Sequence, residues 1–449
     1  MNKYFHSVRL DKDKCKGCTN CIKRCPTQAI RVRAGKAHII NERCIDCGEC
    51  VRVCPHHAKY ISRDSLSQIV DYKYRIALPA PALYAQFNNL ENATPILRAL
   101  PLLGFDSVFE VAAAAELVSE ATRFMMKENK LKLPVISSAC PAVVRLIRVR
   151  FPDLLENLLP INSPVELAAR FAREKAVKET GLKPQEIGVF FISPCPAKIT
   201  SFKNPLGVEK SNVDGAVGIN DIYPVLVKIM EKGDRYDIPD AEQNSGIIGM
   251  SWASSGGETS GILNDNTLHA DGIENCMKIL EEVETGTLNS IDFIELNACQ
   301  GGCVGGCLTS ENPYIAKTRL RKLRKYAPVS CNSLPAEEIP PYFFIEGELE
   351  PCDDVMKLAD NVAEAMMRMK RMNELLEVFP GLDCGTCGTP GCRCLAEDIV
   401  RGFAKEDDCV FRMKQNLAQM QNGETFESLI PAPFRETNDD NDNNNNNNN

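Results

Sequence analysis

The sequence predicts an α/β multi-domain chain: a small α+β domain first, a large α/β domain in the middle and a small helical domain near the C-terminus. Three observations carry that expectation. Eight of the 21 cysteines fall before residue 55, in two copies of one run. From about residue 75, short apolar runs alternate with amphipathic helices, as they do in α/β folds. Five more cysteines crowd residues 384–409, in a Gly/Pro-rich stretch that leads into a helix. The 449 residues allow two to four domains at roughly 150 residues each. The boundaries fall at 1–70, 76–350 and 379–430, with a connecting helix over 353–378 and an unstructured tail over 431–449.

Composition excludes several function classes. The formal charge is −8 and no Lys/Arg-rich run is present, so the electrostatic footprint of a nucleic-acid binder is missing. No basic amphipathic segment points to a membrane surface, and no apolar stretch approaches the length of a bilayer span. The opening "MNKYFHSVRLDKDKCKGC" lacks the apolar core of a signal peptide, so the expected location is the cytoplasm. That compartment keeps thiols reduced, and 21 cysteines there read as metal ligands or redox groups rather than disulfides.

In the first domain Cys15, Cys18, Cys21 and Cys25 recur at an offset of 29 as Cys44, Cys47, Cys50 and Cys54. Both copies have the form C-x2-C-x2-C-x3-C-P, the bacterial run for cubane [4Fe-4S] clusters, in which the fourth cysteine ligates the other cluster. The expected ligand sets are therefore Cys15, Cys18, Cys21 and Cys54 for one cluster, and Cys44, Cys47, Cys50 and Cys25 for its twin. Zinc, with four ligands in two pairs, leaves an eight-cysteine run without a use. Residues 5–62 resemble two-cluster ferredoxins, which implies a ferredoxin-like fold and electron transfer. His56 and His57 read as part of a solvated turn.

Three apolar runs of the middle domain end on cysteine: "LPVISSAC" at Cys140, "IGVFFISPC" at Cys195 and "IDFIELNAC" at Cys299. Ligands of parallel α/β sheets bind beyond the carboxyl ends of the strands, so these cysteines are placed to converge, and Cys303 follows one turn after Cys299. Helices are expected from Pro141 and from Pro164, the second capped by Ser163, with N-terminal dipoles that favour a negatively charged centre.

These segments resemble the catalytic domain of [FeFe]-hydrogenases over about 76–350. That family carries T-S-C-C-P, M-P-C-x-x-K-K-x-E and E-x-M-A-C-x-x-G-C-x-x-G-G-G; this chain has "SSACP", "SPCPAKITS" and "ELNACQGGCVGGC" in the same order. "ALPAPAL" and "SSGGETSGIL" also look like family segments. The resemblance implies an H-cluster, a [4Fe-4S] cube joined through one cysteine to a diiron unit with CO and CN. Cys140, Cys195, Cys299 and Cys303 then hold the cube, Cys303 bridges to the diiron unit, and Lys198 contacts a cyanide.

The departures from the family are also informative. The family's proton-shuttling cysteine is Ala139, and Ser193, Ile199, Ser201 and Asn297 replace its methionine, second lysine, glutamate and second methionine. A methyl group carries no proton, and loss of an acid/base group commonly lowers rates by about 10²- to 10⁴-fold. Low activity follows. Cys307, where the family has glycine, reads as a substitute thiol or a buried structural cysteine. Glu116 and Glu120 share a helix face and read as proton relays or as solvent-facing carboxylates. The glycines of "ELNACQGGCVGGC" are expected to let backbone approach inorganic atoms. Cys276, Cys331 and Cys352 lack partner spacing and read as core residues.

In the connecting helix Leu358, Val362, Met366, Met369, Met372 and Leu376 form one face, expected to pack on a core. Cys384, Cys387, Cys392 and Cys409 follow, with Cys394 left over. This stretch resembles the small helical [4Fe-4S] domain of corrinoid iron–sulfur proteins and of sensor-type hydrogenase relatives; a structural zinc site is the alternative. The tail "ETNDDNDNNNNNNN" is acidic and low-complexity. Together the resemblances imply the sensory branch of [FeFe]-hydrogenases, with slow or sensory H2 oxidation, hydrogenase maturation proteins, a ferredoxin or oxidoreductase as redox partner, and a separate signalling partner. The alternatives are an electron relay or redox sensor with only a cube in the hydrogenase fold, and an electron donor to a corrinoid enzyme.

Overall fold

The computed structural model describes residues 5–128, 130–232, 243–335, 338–352 and 357–420. It divides into two compact units, Met1–Met356 and Lys357–Asn449. The tail expected over 431–449 lies outside the described residues, as do 353–356 of the connecting segment.

The first unit begins with the duplicated region. Its strand Val8–Leu10 pairs antiparallel with Lys59–Ile61, and a hairpin joins Ile30–Arg33 to Lys36–Ile39. The short helices Asn20–Lys23 and Glu49–Arg52 follow the first cysteines of each run. The repeat persists in the backbone even where side chains differ. Positive φ recurs at the same offset of 29, at Gly17 and Asp46, at Thr19 and Gly48, and at Gln28 and His57. A β-branched threonine adopts that region only where the surrounding turn imposes it.

The rest of this unit is built on two parallel sheets. One has the order Ser107–Val108, Tyr74–Pro79, Ile187–Ser193, Gly215–Gly218; the other has the order Thr267–Asp271, Phe293–Asn297, Val135–Ile136. Strand Ile187–Ser193 is buried along its whole length, so its sequence is a continuous apolar run rather than an alternation. Phe190, Phe293, Ile76 and Leu78 are fully buried, and each such side chain contributes about 1.5–3 kcal/mol of transfer free energy. Helices Val111–Lys127 and Pro164–Thr180 pack together beside the larger sheet.

Two helices begin at the ends of cysteine-bearing strands, at Pro141 and at Pro196. The second was expected at Pro164 instead. Pro164 does open a helix, but after the Leu159–Asn162 segment rather than after a cysteine turn. Pro196 sits at the first helical position, where its missing N–H costs nothing and its fixed φ suits the turn.

In the second unit the helix spans Val362–Val378, so it starts later than the apolar periodicity implies. Asn361 sets the boundary: its side chain accepts from Glu364 N at 2.7 Å, an N-cap that fixes the first turn. Leu358 precedes the helix. Only its second half packs as expected, with Met372, Leu375 and Phe379 against Leu395, Ala396 and Cys409, while Val362, Met366 and Met369 are exposed.

Candidate functional site

Two small cavities occupy the duplicated region. One is walled by Cys15, Cys18, Cys21 and Cys54, the other by Cys25, Cys44, Cys47 and Cys50. The last cysteine of each run thus faces the other run's cavity. Backbone amides point at the sulfurs: Ala37 N is 3.4 Å from Cys15 Sγ, Ala29 N 3.2 Å from Cys25 Sγ and Ala58 N 3.3 Å from Cys54 Sγ. Such donors favour thiolates, the form that binds metal. Burial pushes Cys44 and Cys47 well up, so neither would ionise in an empty pocket. Asp46 ties the second run to the first strand, accepting from His6 Nδ1 at 2.7 Å and Val8 N at 2.9 Å.

The larger site is a cavity of about 100 Å³ between the two sheets. Cys140, Cys195, Cys299 and Cys303 all line it, with Lys198 beside them. Cys195 and Cys299 lie just beyond strands Ile187–Ser193 and Phe293–Asn297, and Cys140 just beyond Val135–Ile136. Cys140 and Cys195 are also the N-cap residues of the helices from Pro141 and Pro196. Ser193 holds one of these turns, its Oγ donating to Cys195 O at 2.9 Å. The remaining walls are mostly apolar, including Ala82, Val111, Ala115, Val165, Phe191 and Leu296.

Electrostatics here test whether a metal centre fits. Burial and the neighbouring cysteines push Cys195 up to about 12, and the same causes raise Cys303 and Cys299. Burial lowers Lys198, while the Cys195 and Cys303 thiolates pull it back. Four thiols brought together in an apolar cavity can all ionise only around a cationic centre, because buried like charges are otherwise too costly. All four are free cysteines. The donor set therefore fits an iron–sulfur cube.

The cavity wall also holds acids that sequence reasoning missed. Glu258 and Glu295, each 3% exposed, line it together with Ser137. Ser137 Oγ donates to Glu258 Oε2 at 2.6 Å and accepts from Ala139 N at 3.2 Å. Burial, then the charge of Glu295, pushes Glu258 up to about 8. Glu295 is raised by burial against amide donors, with Thr259 N at 2.9 Å and Gly256 N at 3.1 Å. It also feels the charge of His269, which is exposed and lies against Gly256. An acid inside the apolar run "IDFIELNAC" was the available signal for Glu295; nothing in "SSGGETSG" marked Glu258 as buried.

Several candidates lie elsewhere. Glu116 is buried but accepts from Gly246 N, Cys331 N and Asn332 N, so it anchors loops and does not line the cavity. Glu120 accepts from Leu334 N at 2.5 Å, also away from the cavity. Cys307 stands behind the cavity, with its Sγ against Gly48 of the second cysteine run. Arg52, from the same run, reaches Gly305 O at 2.5 Å and hydrogen-bonds Cys299. Gly302 of "ELNACQGGCVGGC" lines the cavity, and glycines of this run are also packed against protein backbone. A Cβ on Gly302, at φ +87°, would collide with the backbone of Ser255, and one on Gly306 with the Pro194 carbonyl. They allow backbone to pack on backbone. Cys276 is a core residue as expected; Cys331 is exposed, because Glu116 holds its loop at the surface, and Cys352 is only partly buried.

In the second unit Cys387, Cys392 and Cys409 gather on the same small core, and Cys384 is exposed. Cys392 opens the helix Cys392–Val400, after which the chain returns to Cys409. Cys394 is buried.

Comparison with known proteins accords with this geometry. The family described as iron only hydrogenase large subunit, C-terminal domain, matches residues 73–264 and 258–307, more than half of the chain. A 4Fe-4S dicluster domain matches 7–55, and an Fe-S cluster family matches 379–411. Iron hydrogenase 1 of Clostridium pasteurianum is 25% identical over 305 residues, 56% of this chain and 53% of that protein. The periplasmic [Fe] hydrogenase large subunit of Nitratidesulfovibrio vulgaris is 25% identical over 362 residues, 67% of this chain and 86% of that protein. The chain thus spans about half the length of the first relative and most of the second. A solved [FeFe]-hydrogenase from Chlamydomonas reinhardtii superimposes with a TM-score of 0.44 at 16% identity, covering 58% of this chain and 88% of that one. No helix among the described residues is long and apolar enough to cross a membrane. With two four-cysteine pockets in its duplicated region and a four-cysteine cavity between parallel sheets, this iron–sulfur chain belongs to the iron-only hydrogenase large-subunit family.

Proposed function

We propose that the chain catalyses slow, reversible oxidation of H2 at the central cavity and exchanges the electrons through its N-terminal clusters, in a sensory rather than a bulk metabolic role. The observation that carries this reading is the convergence of Cys140, Cys195, Cys299, Cys303 and Lys198 on one cavity. Cys140, Cys195, Cys299 and Cys303 would hold a cube, with Cys303 as the bridge to a diiron unit beside Lys198. When bound, that unit supplies the splitting of H2.

The chain's own residues then have to hold the proton. Ala139 cannot, and the group best placed to do so is the Glu258 carboxyl, buried in the wall and hydrogen-bonded by Ser137. A pKa near the operating pH suits an acid/base group, and burial moves Glu258 in that direction. Glu295 lines the same wall and accepts from Gly256 N, and exposed His269 lies against Gly256. Apolar walls exclude water from the rest of the cavity.

Electrons leave by the second cysteine run, whose Gly48 packs on Cys307 and whose Arg52 reaches Gly305 O, both in the segment that carries Cys299 and Cys303. An electron-carrying protein and a separate signalling protein are the partners this route calls for, and hydrogenase maturation proteins would load the site. The many free thiols suit the cytoplasm. The test is dye-coupled H2 oxidation and hydrogen–deuterium exchange on matured protein. Slow activity that disappears with Cys303→Ser is the expected outcome. A full iron complement with neither activity would leave an electron relay in its place.

A further inference from the structure

The N-terminal duplication breaks its symmetry at one buried position. The offset of 29 lays Cys54-Pro55-His56-His57-Ala58-Lys59 on Cys25-Pro26-Thr27-Gln28-Ala29-Ile30. The two segments keep the same geometry up to the last residue. Ala29 N points at Cys25 Sγ and Ala58 N at Cys54 Sγ, and Ile30 and Lys59 each open a strand. Both are buried, 2% and 4% exposed. One is apolar and the other carries an ammonium.

Each of them lines one cluster cavity. Ile30 belongs to the wall around Cys25, Cys44, Cys47 and Cys50, and Lys59 to the wall around Cys15, Cys18, Cys21 and Cys54. Lys59 Nζ has no hydrogen-bond partner in the protein. Its charge bears on thiols of both sets, Cys15 and Cys21 around its own cavity and Cys25 and Cys50 of the twin, but its side chain lines only the first of the two cavities. An ammonium buried without a partner is costly, and an anionic centre held by the four cysteines of its own cavity is the partner it lacks. Lysine is also a compact point charge on a flexible stem, able to lie against a centre without fixed donor geometry.

We propose that Lys59 makes the two N-terminal clusters inequivalent: its ammonium lies against the cluster of Cys15, Cys18, Cys21 and Cys54 and holds that cluster at the higher reduction potential. The inference rests on the eight cysteines holding two cubes. Reduction adds one electron and one negative charge to a cube, so a fixed positive neighbour favours the reduced form. An electron passed from the twin leaves the twin oxidised and the Lys59 cluster reduced, with no proton moved. The twin is the cluster next to the central cavity, through Gly48 and Arg52, whereas the Lys59 cluster carries exposed Cys18. Electrons released at the cavity therefore settle on the outer cluster, where a partner can collect them.

The test uses the full-length chain reconstituted with iron and sulfide alone, titrated with reductant and followed by electron paramagnetic resonance. Lys59→Met and Lys59→Gln should each move one cluster to lower potential. The ratio of reduced to oxidised protein at fixed poise should fall at least ~tenfold, about 59 mV for a one-electron couple. Lys59→Arg should stay with the wild type, the twin should move less than the cluster of Cys15, Cys18, Cys21 and Cys54, and the remaining clusters should not move. An unmoved potential in both neutral variants overturns the proposal, as does an equal shift in Lys59→Arg. Loss of the cluster from both neutral variants would make Lys59 a structural requirement and also overturn it. Wild-type protein without a spin-coupled pair of cubes fails the two-cluster reading itself, an outcome separate from the others.

Discussion

The N-terminal pockets and the central cavity each gather four cysteines, but they differ in how they do it and in what surrounds the sulfur. Every thiol of the N-terminal pockets comes from within forty residues of the others, on turns held by backbone amides. Three of the central four lie beyond the ends of strands in two different sheets, and Cys303 follows Cys299 by one turn. Around the N-terminal sulfurs Lys59 is, among the described residues, the buried ionisable side chain that lines a pocket without a protein partner. Around the central sulfurs stand Lys198, Glu258 and Glu295. The carboxylates at the second N-terminal pocket, Asp46 and Glu49, are tied to His6, Val8 and Arg52, so they serve to hold structure. At the central cavity Glu258 is hydrogen-bonded by a neutral serine, which leaves it free to take the proton-holding role proposed for it.

Removing one central thiol breaks the comparison most severely. Cys195→Ala should abolish H2 activity and cost the cavity its cube, about four irons per chain, while the spectra of the N-terminal pair persist. Iron analysis with paramagnetic resonance checks both halves. Loss of the N-terminal signals as well would mean that the two regions do not bind metal independently.

The acids should matter next. Glu258→Gln is expected to lower turnover by about 10²- to 10⁴-fold at unchanged iron content, with Glu258→Asp in between. Ala139→Cys should raise turnover by restoring a thiol at the cavity wall. An unaltered rate in Ala139→Cys, with the metal site intact, would show that proton delivery does not limit the reaction.

Stability should report the same carboxyl in iron-free protein. Glu258 has a folded pKa of about 8 against an ordinary value of 4.5. Between those values the folded chain keeps a proton that the unfolded chain releases, so stability falls as pH rises through the window. Thermal midpoints at pH 5, 6.5 and 8 should decline in the wild type and decline less in Glu258→Gln. Equal slopes would place the Glu258 carboxyl in contact with water.

The smallest effect is expected at the junction of the two regions. Arg52→Met removes the hydrogen bond to Cys299 and should lower the potential of the central cube by up to ~59 mV, a tenfold change in a one-electron equilibrium. The Lys59 cluster should be unaffected. Redox titration of both centres in one sample makes the comparison internal.

The same contrast explains what could be read from the chain alone. The crossed N-terminal sets are written in local spacing, so Cys54 and Cys25 could be assigned to each other's runs before any fold was known. The central set was legible because three apolar strands each end on a cysteine and parallel sheets bring such ends together. Glu258 was not legible. Its burial comes from the close packing of Gly257 against the Ser251 carbonyl, a tertiary contact with no local pattern. Glu116 shows the converse: an acid in the apolar "AAAAEL" stretch was a fair candidate, yet its carboxylate is fully engaged by loop amides. The late start at Val362 reflects a single Asn361 cap overriding an apolar periodicity that continues upstream.

Infrared spectroscopy of protein co-produced with hydrogenase maturation enzymes tests the central claim most directly. Stretching bands of metal-bound CO and CN in the wild type, lost in Cys303→Ser while the N-terminal clusters remain, are the predicted result. A chain carrying its full complement of iron and showing no such bands would contradict it.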